Sequence, residues 1–115
     1  MVGVLRKAGG EVVCERCEIA HRPWTRARGL LGRSGLEPGQ GMLFRPAGSI
    51  HTMFMRFPLD VLFCDRGLAV IGVERDLKPW RTASRRGAKV VVELPVGGAA
   101  GVEPGDRLFI DTMGS

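Results

Sequence analysis

Residues 59–74 read LDVLFCDRGLAVIGVE, two β-rich runs on either side of Asp65-Arg66-Gly67. Asp and Gly between two such runs form the strongest short-range hairpin signal, because the turn needs backbone conformations that these residues adopt at little cost. The first run is apolar on both faces, and KVVVELP at 89–95 repeats its β-branched character. EVVCERCEIAHR, GMLFRP, IHTMF and RLFIDT are further extended candidates, separated by turn signals at EPGQG, at Pro46 to Gly48 and at PGD. One stretch has helical spacing. Ala27, Leu30 and Leu31, with Thr25 as an N-cap, predict a short helix near residues 24–32. Residues 76–88, DLKPWRTASRRGA, have no sustained period and predict a surface loop. The sum is an α+β domain, mainly antiparallel β, whose sheet curls into a small open barrel or two packed layers with the helix closing one side. An all-parallel sheet is disfavoured, since the helices that its crossovers require are missing.

A chain of 115 residues makes one globular domain, with residues 1–10 expected to be a loosely ordered N-terminus. Its apolar runs are too short to span a bilayer. MVGVLRKAGG lacks the charge-then-apolar order of a secretory leader, so the expected location is the cytoplasm.

Seventeen Lys and Arg face twelve Asp and Glu, a formal charge of +5. Arg22, Arg26, Arg28 and Arg33 form one basic zone, and Lys78, Arg81, Arg85, Arg86 and Lys89 a second. Such surfaces promote solubility and non-specific binding, and they keep nucleic acid open as a partner. Against that partner, the chain has no Tyr, no aromatic ladder and no recognisable DNA- or RNA-reading module.

Cys14, Cys17 and Cys64 are an odd number, which argues against a disulfide framework. Cys14, Cys17 and His21 offer three zinc ligands with no second pair to complete four, so no metal is predicted. In a regular strand, Cys14 and Cys17 differ by an odd number and face opposite sides, which favours structural cysteines. No P-loop, dinucleotide or Gly-x-Ser-x-Gly motif occurs, and no cofactor is predicted. Ser49 or Ser84 as a nucleophile would need a base with an orienting carboxylate, and only His51 has carboxylates nearby in sequence.

The segment IHTMFMRFPLDVLFCD, residues 50–65, sets His51, Thr52, Arg56, Asp60 and Asp65 among apolar neighbours. Buried charges need partners. One reading pairs Arg56 with Asp60 across Pro58, with Glu93 as a further member of a structural polar core. The other leaves His51 and Arg56 open at a cleft mouth to bind an anion, with Thr52 beside them and Asp60 orienting one of them. Trp80 and Arg81 in the 76–88 loop suit a recognition contact, while Trp80 could equally cap the open end of the barrel.

RGLLGR, GMLF, the His-Thr-x-x-Met-Arg-Phe-Pro-Leu-Asp block and VVELPVGGAAGVEPGD occur in an order that resembles the domain of unknown function 192 family, small bacterial and archaeal proteins without an established activity. The resemblance runs from about Ala20 to the C-terminus and implies a compact β-rich domain, without transferring chemistry. The family's usual Trp-Met-Lys-Asn-Thr is replaced here by MFMRF at 53–57, where Arg56 takes the place of the Lys and the Asn-Thr pair is missing.

The expected function is a small binding or accessory domain that engages an anionic ligand or partner protein through residues 49–60 and 76–87. The alternatives are an enzyme of hydrolase or acid/base type using His51 with Asp60 or Asp65, and a nucleic-acid binder using the arginine-rich surface.

Overall fold

In a computed structural model, residues 1–20, 35–53 and 55–112 are described. These residues form nine strands: β1 (Val2–Lys7), β2 (Val12–Ala20), β3 (Gln40–Phe44), β4 (Ser49–His51), β5 (Leu59–Cys64), β6 (Val70–Leu77), β7 (Thr82–Ser84), β8 (Val90–Leu94) and β9 (Leu108–Thr112). Seven of them build one sheet in the order β6-β5-β8-β3-β2-β1-β9, and β4 pairs with β7 in a separate ribbon. Every neighbouring pair is antiparallel except β2 with β3. No helix occurs among the described residues, and the stretch predicted as helical, near 24–32, lies outside them.

The central strands explain the two-faced apolar runs. Along β5, Leu62 and Cys64 join one buried cluster, whereas Leu59, Val61 and Phe63 join another. Along β8, Val90, Val92 and Leu94 enter the first and Val91 the second. Alternation by residue places successive side chains on opposite faces, so both faces of these strands are covered. The first cluster also takes Leu5 from β1, Cys14, Cys17 and Ile19 from β2, Val70 from β6 and Leu108 from β9. Strands from both ends of the sheet thus share one core, and the sheet must curl around it. The curl stops short of a closed barrel: its edges meet through a bridge at Ala69 and Arg107, with Val70 N donating to Asp106 O at 2.8 Å and Leu108 N to Leu68 O at 3.0 Å. The second cluster lies on the opposite face, under Ile50, Met55 and Phe57.

Two expectations change. Residues 2–7 form β1, hydrogen-bonded on both sides by β2 and β9, where a loose N-terminus was expected. Leu5 is fully buried, and this single apolar anchor with two strand partners orders a segment whose glycines and charges read as a tail. Residues 76–88 are not wholly loop, because β6 runs to Leu77 and Thr82–Ser84 form β7. β7 is too short to show a period, and it becomes a strand through its pairing with β4. One parallel pair, β2 with β3, exists within the otherwise antiparallel sheet. The hairpin of β5 and β6 turns at the predicted place.

A Cβ on Gly41 would lie 2.8 Å from Cys14 Sγ, 2.8 Å from Leu94 Cδ2 and 3.0 Å from the Glu93 carbonyl oxygen, all in the packed interior. Gly35 has nothing within 4 Å of the same position. Gly41→Ala is expected to lower stability by about 1–3 kcal/mol in chemical denaturation, and Gly35→Ala to change it by less than about 0.5 kcal/mol. Equal effects would show that the interior at Gly41 accommodates a methyl group.

Candidate functional site

The β4–β7 ribbon joins the two sequence segments that carry the candidate residues. Ser49 lies opposite Ser84, Ile50 opposite Ala83, and His51 opposite Thr82. Ile50 is buried and Ala83 packs on the same cluster, so the ribbon's inner face is apolar. Ser49, His51, Thr82 and Ser84 are exposed. The outer face therefore presents an imidazole and three hydroxyls.

Thr52 fastens this ribbon to the chain that follows β6. Its hydroxyl donates to the Lys78 carbonyl at 2.7 Å and accepts from the Arg81 N–H at 2.8 Å. Its backbone N–H donates to Arg81 O at 2.8 Å, and its carbonyl accepts from Trp80 N–H at 2.9 Å. Thr52 is completely buried, so it shapes the site from beneath and does not face a ligand, contrary to its expected binding role. The same bonds hold Trp80 at φ 63°, a left-handed conformation that costs a bulky residue roughly 1–3 kcal/mol. Trp80 nevertheless remains 54% exposed. Arg81 in this turn and Arg56 are both exposed, and neither forms an ion pair with a described residue.

The carboxylates have other duties. Asp60 is 2% exposed, and its Oδ1 accepts from Asp76 N–H at 2.9 Å. Its Oδ2 accepts from Gly97 N–H at 3.0 Å and Ala99 N–H at 3.1 Å. The predicted Arg56–Asp60 pair is absent: backbone donors hold the carboxylate, and Arg56 lies in solvent outside any polar core. Arg75 complements Asp60 on the same turn, donating to Ala99 O at 2.7 Å and Val102 O at 2.8 Å. Nothing in the sequence pointed to this clamp, because its partners lie far apart in the chain. Asp65 accepts from Gly67 N–H and Ala69 N–H, each at 2.9 Å, and stabilises the hairpin turn. Neither Asp is hydrogen-bonded to His51, which makes no side-chain bond to a described residue. Glu93 is buried, opposite Met42 on β3 and Val61 on β5.

The cysteine geometry also departs from a regular strand. Gly3 pairs with Cys17 and Leu5 with Cys14, so Glu15 and Arg16 together oppose Val4 alone. This bulge resets the alternation. Cys14 and Cys17 consequently enter the same core cluster, where opposite faces were expected. Their contact, with Cys17 donating, holds the Cys14 thiol below its ordinary value, while the same contact and burial push Cys17 upward. Burial pushes the Cys64 thiol up to about 12. No group of three or more metal-ligating side chains forms among the described residues, and His21 lies outside them.

Residues 4–110 match the family described as Uncharacterized ACR, COG1430, domain of unknown function 192. The chain belongs to this family. The match takes in β1 and β2, upstream of the motifs that carry the resemblance. A UPF0127 protein of Thermococcus sibiricus is 32% identical over 82% of this chain and 64% of its own length. One from Pyrococcus abyssi is 35% identical over 81% and 84%, and one from Pyrococcus furiosus 44% identical over 56% and 58%. The aligned part thus spans less than two-thirds of two of these relatives. Among solved structures, a candidate transcription regulator of Sinorhizobium meliloti 1021 superposes with a TM-score of 0.82 at 27% identity, covering 96% of this chain and 94% of that one. A protein of unknown function from Novosphingobium aromaticivorans gives 0.78 at 25% identity, covering 95% and 84%. The Pro-Leu-Asp and Gly-rich stretches of this chain meet where Asp60 accepts from the 97–99 turn.

Two substitutions separate clamp from turn. Asp60→Asn is expected to cost about 2–3 kcal/mol, since an amide cannot accept at both positions and leaves buried N–H groups without a partner. Asp65→Asn should cost under about 1 kcal/mol, because Asn supports the same turn. Denaturant midpoints of the two variants give the comparison, and similar losses would contradict it. At the ribbon, Thr52→Val is expected to cost about 1–3 kcal/mol by stranding Lys78 O and Arg81 N–H, with Thr52→Ser recovering most of it. A loss in Ser with little loss in Val would mean that the methyl group, and not the hydroxyl, is what Thr52 supplies.

Proposed function

We propose that this protein is a binding domain that recognises an anionic small molecule or an acidic protein segment on the outer face of the β4–β7 ribbon. The observation that carries this reading is Trp80, a large aromatic kept exposed in a strained backbone conformation by buried hydrogen bonds from Thr52. Strain of this kind persists only where surrounding structure enforces it, and it concentrates at functional positions. Arg81 is the next residue, Arg56 follows one turn after Thr52, and His51 lies on the adjoining strand. A guanidinium with an aromatic neighbour is the usual composition of a recognition hot spot, and Arg suits carboxylate and phosphate oxygens. The cytoplasm is the compartment proposed for this activity.

The acid/base alternative receives less support. Catalysis by His51 would need an orienting carboxylate, and the hydrogen bonds of Asp60 and Asp65 go to backbone donors. Nucleic acid is a second reading, favoured by the description of the Sinorhizobium protein as a candidate regulator and by the formal charge of +5. It requires retention on DNA or RNA that falls steeply as salt rises.

A thermal-shift screen against inorganic phosphate, dicarboxylates and nucleoside monophosphates tests the principal reading. A ligand at about 100 times its Kd adds about 2.7 kcal/mol, a rise on the order of 10 °C for a domain of this size. Arg81→Ala should abolish the shift. Trp80→Gly should abolish it too while leaving the unliganded protein within about 1 kcal/mol of the parent, because glycine relieves the left-handed strain. The proposal fails if no compound shifts the melting temperature and an acidic peptide array retains no protein. It fails equally if both variants keep the parent's response.

A further inference from the structure

The C-x-x-C pair lies apart from the ribbon and plays no part in recognition there. The β2 bulge turns both thiols into one buried cluster, and space is kept for them. Gly41, the parallel partner of Cys17 on β3, leaves the volume that Cys14 Sγ occupies, since a Cβ there would come within 2.8 Å of the sulfur. Cys14 Sγ also donates to Gly39 O at 3.3 Å. That carbonyl belongs to the 37–40 turn, whose residues Glu37 and Pro38 are exposed. The turn is tied to β2 through Gly39 O, which also accepts from Arg16 N–H at 2.8 Å. Loss of these bonds in a local opening would bring solvent to Cys14.

We propose that Cys14 and Cys17 are a reversible dithiol–disulfide site, oxidised by hydrogen peroxide. Cys14, as thiolate, attacks the peroxide oxygen; the O–O bond breaks and Cys14 becomes a sulfenic acid as the other oxygen leaves as water after protonation. Cys17 sulfur then attacks Cys14 sulfur, forming the S–S bond, and the sulfenic oxygen leaves as a second water carrying the Cys17 proton. Two thiols lose two electrons and one peroxide gains them. The contact with Cys17 that holds the Cys14 thiol below its ordinary value favours Cys14 as the attacking group. Cys64 is buried in the same cluster without such a partner and serves as an internal reference.

The test treats the folded full chain with hydrogen peroxide, then denatures it and labels free thiols with a maleimide for mass spectrometry. Untreated protein takes three labels, one per cysteine. After oxidation, a single label on Cys64 is expected, with the tryptic peptides Ala8–Arg16 and Cys17–Arg26, uncut at Arg22-Pro23, joined by a disulfide and dithiothreitol restoring all three labels. Cys64→Ser should still form the bond, and Cys17→Ser should drive Cys14 to sulfinic acid. The proposal is overturned if the parent keeps three labels at peroxide doses that convert free dithiothreitol. A disulfide that includes Cys64, or Cys14 over-oxidised in the parent while Cys17 is still labelled, overturns it as well. The parent's label count decides the matter even where a serine variant does not fold.

Discussion

The carboxylate of Asp60 joins three parts of the chain that are distant in sequence: β5 itself, the end of β6 at Asp76, and the turn at Gly97 and Ala99. A buried charge is costly unless its hydrogen-bonding capacity is met, and three backbone donors meet it here. Arg75 takes carbonyls of the same turn at Ala99 and Val102, so donors and acceptors of one segment are both consumed by side chains from the β5–β6 hairpin. Ala99 and Val102 can then be buried against the strands. Without that clamp, the turn's peptide groups would enter the core without partners. The curled sheet depends on it because the turn fills the first cluster between strands drawn from both ends.

The second cluster decides what the surface presents. Ile50, Met55 and Phe57 are drawn onto the outer face of the sheet, which forces the polar residues between them outward. His51 and Arg56 are exposed for that reason, and Thr52 is buried because its hydroxyl finds backbone partners. A short ribbon held by one threonine is a small foundation for a recognition surface. It suffices because the inner face, through Ile50 and Ala83, rests on a packed core.

Local patterns made much of the fold legible. The turn at Asp65 to Gly67 carries its own signature, and runs such as LDVLFC and KVVVELP announce strands covered on two sides. The candidate site was less legible. The residues of both segments were visible, but the pairing of β4 with β7 was not, because three-residue strands have no readable period. Proximity in sequence suggested an Arg56–Asp60 pair, whereas Asp60 found donors 16, 37 and 39 positions away. The parity of Cys14 and Cys17 misled for a different reason: one bulge reverses a period of two, and nothing in CERC marks it.

The sequence by itself determined the membership in the family, the β-rich class, the central hairpin and the set of polar residues that needed partners. Those properties are local, being written in turn chemistry and in the alternation of apolar residues over a few positions. Tertiary structure alone decided which partners they received: the backbone clamp on Asp60, the left-handed Trp80 beneath which Thr52 is buried, and the shared face of the two thiols. Each of these depends on contacts between residues far apart in the chain, where burial and hydrogen-bond satisfaction are settled by the whole fold at once.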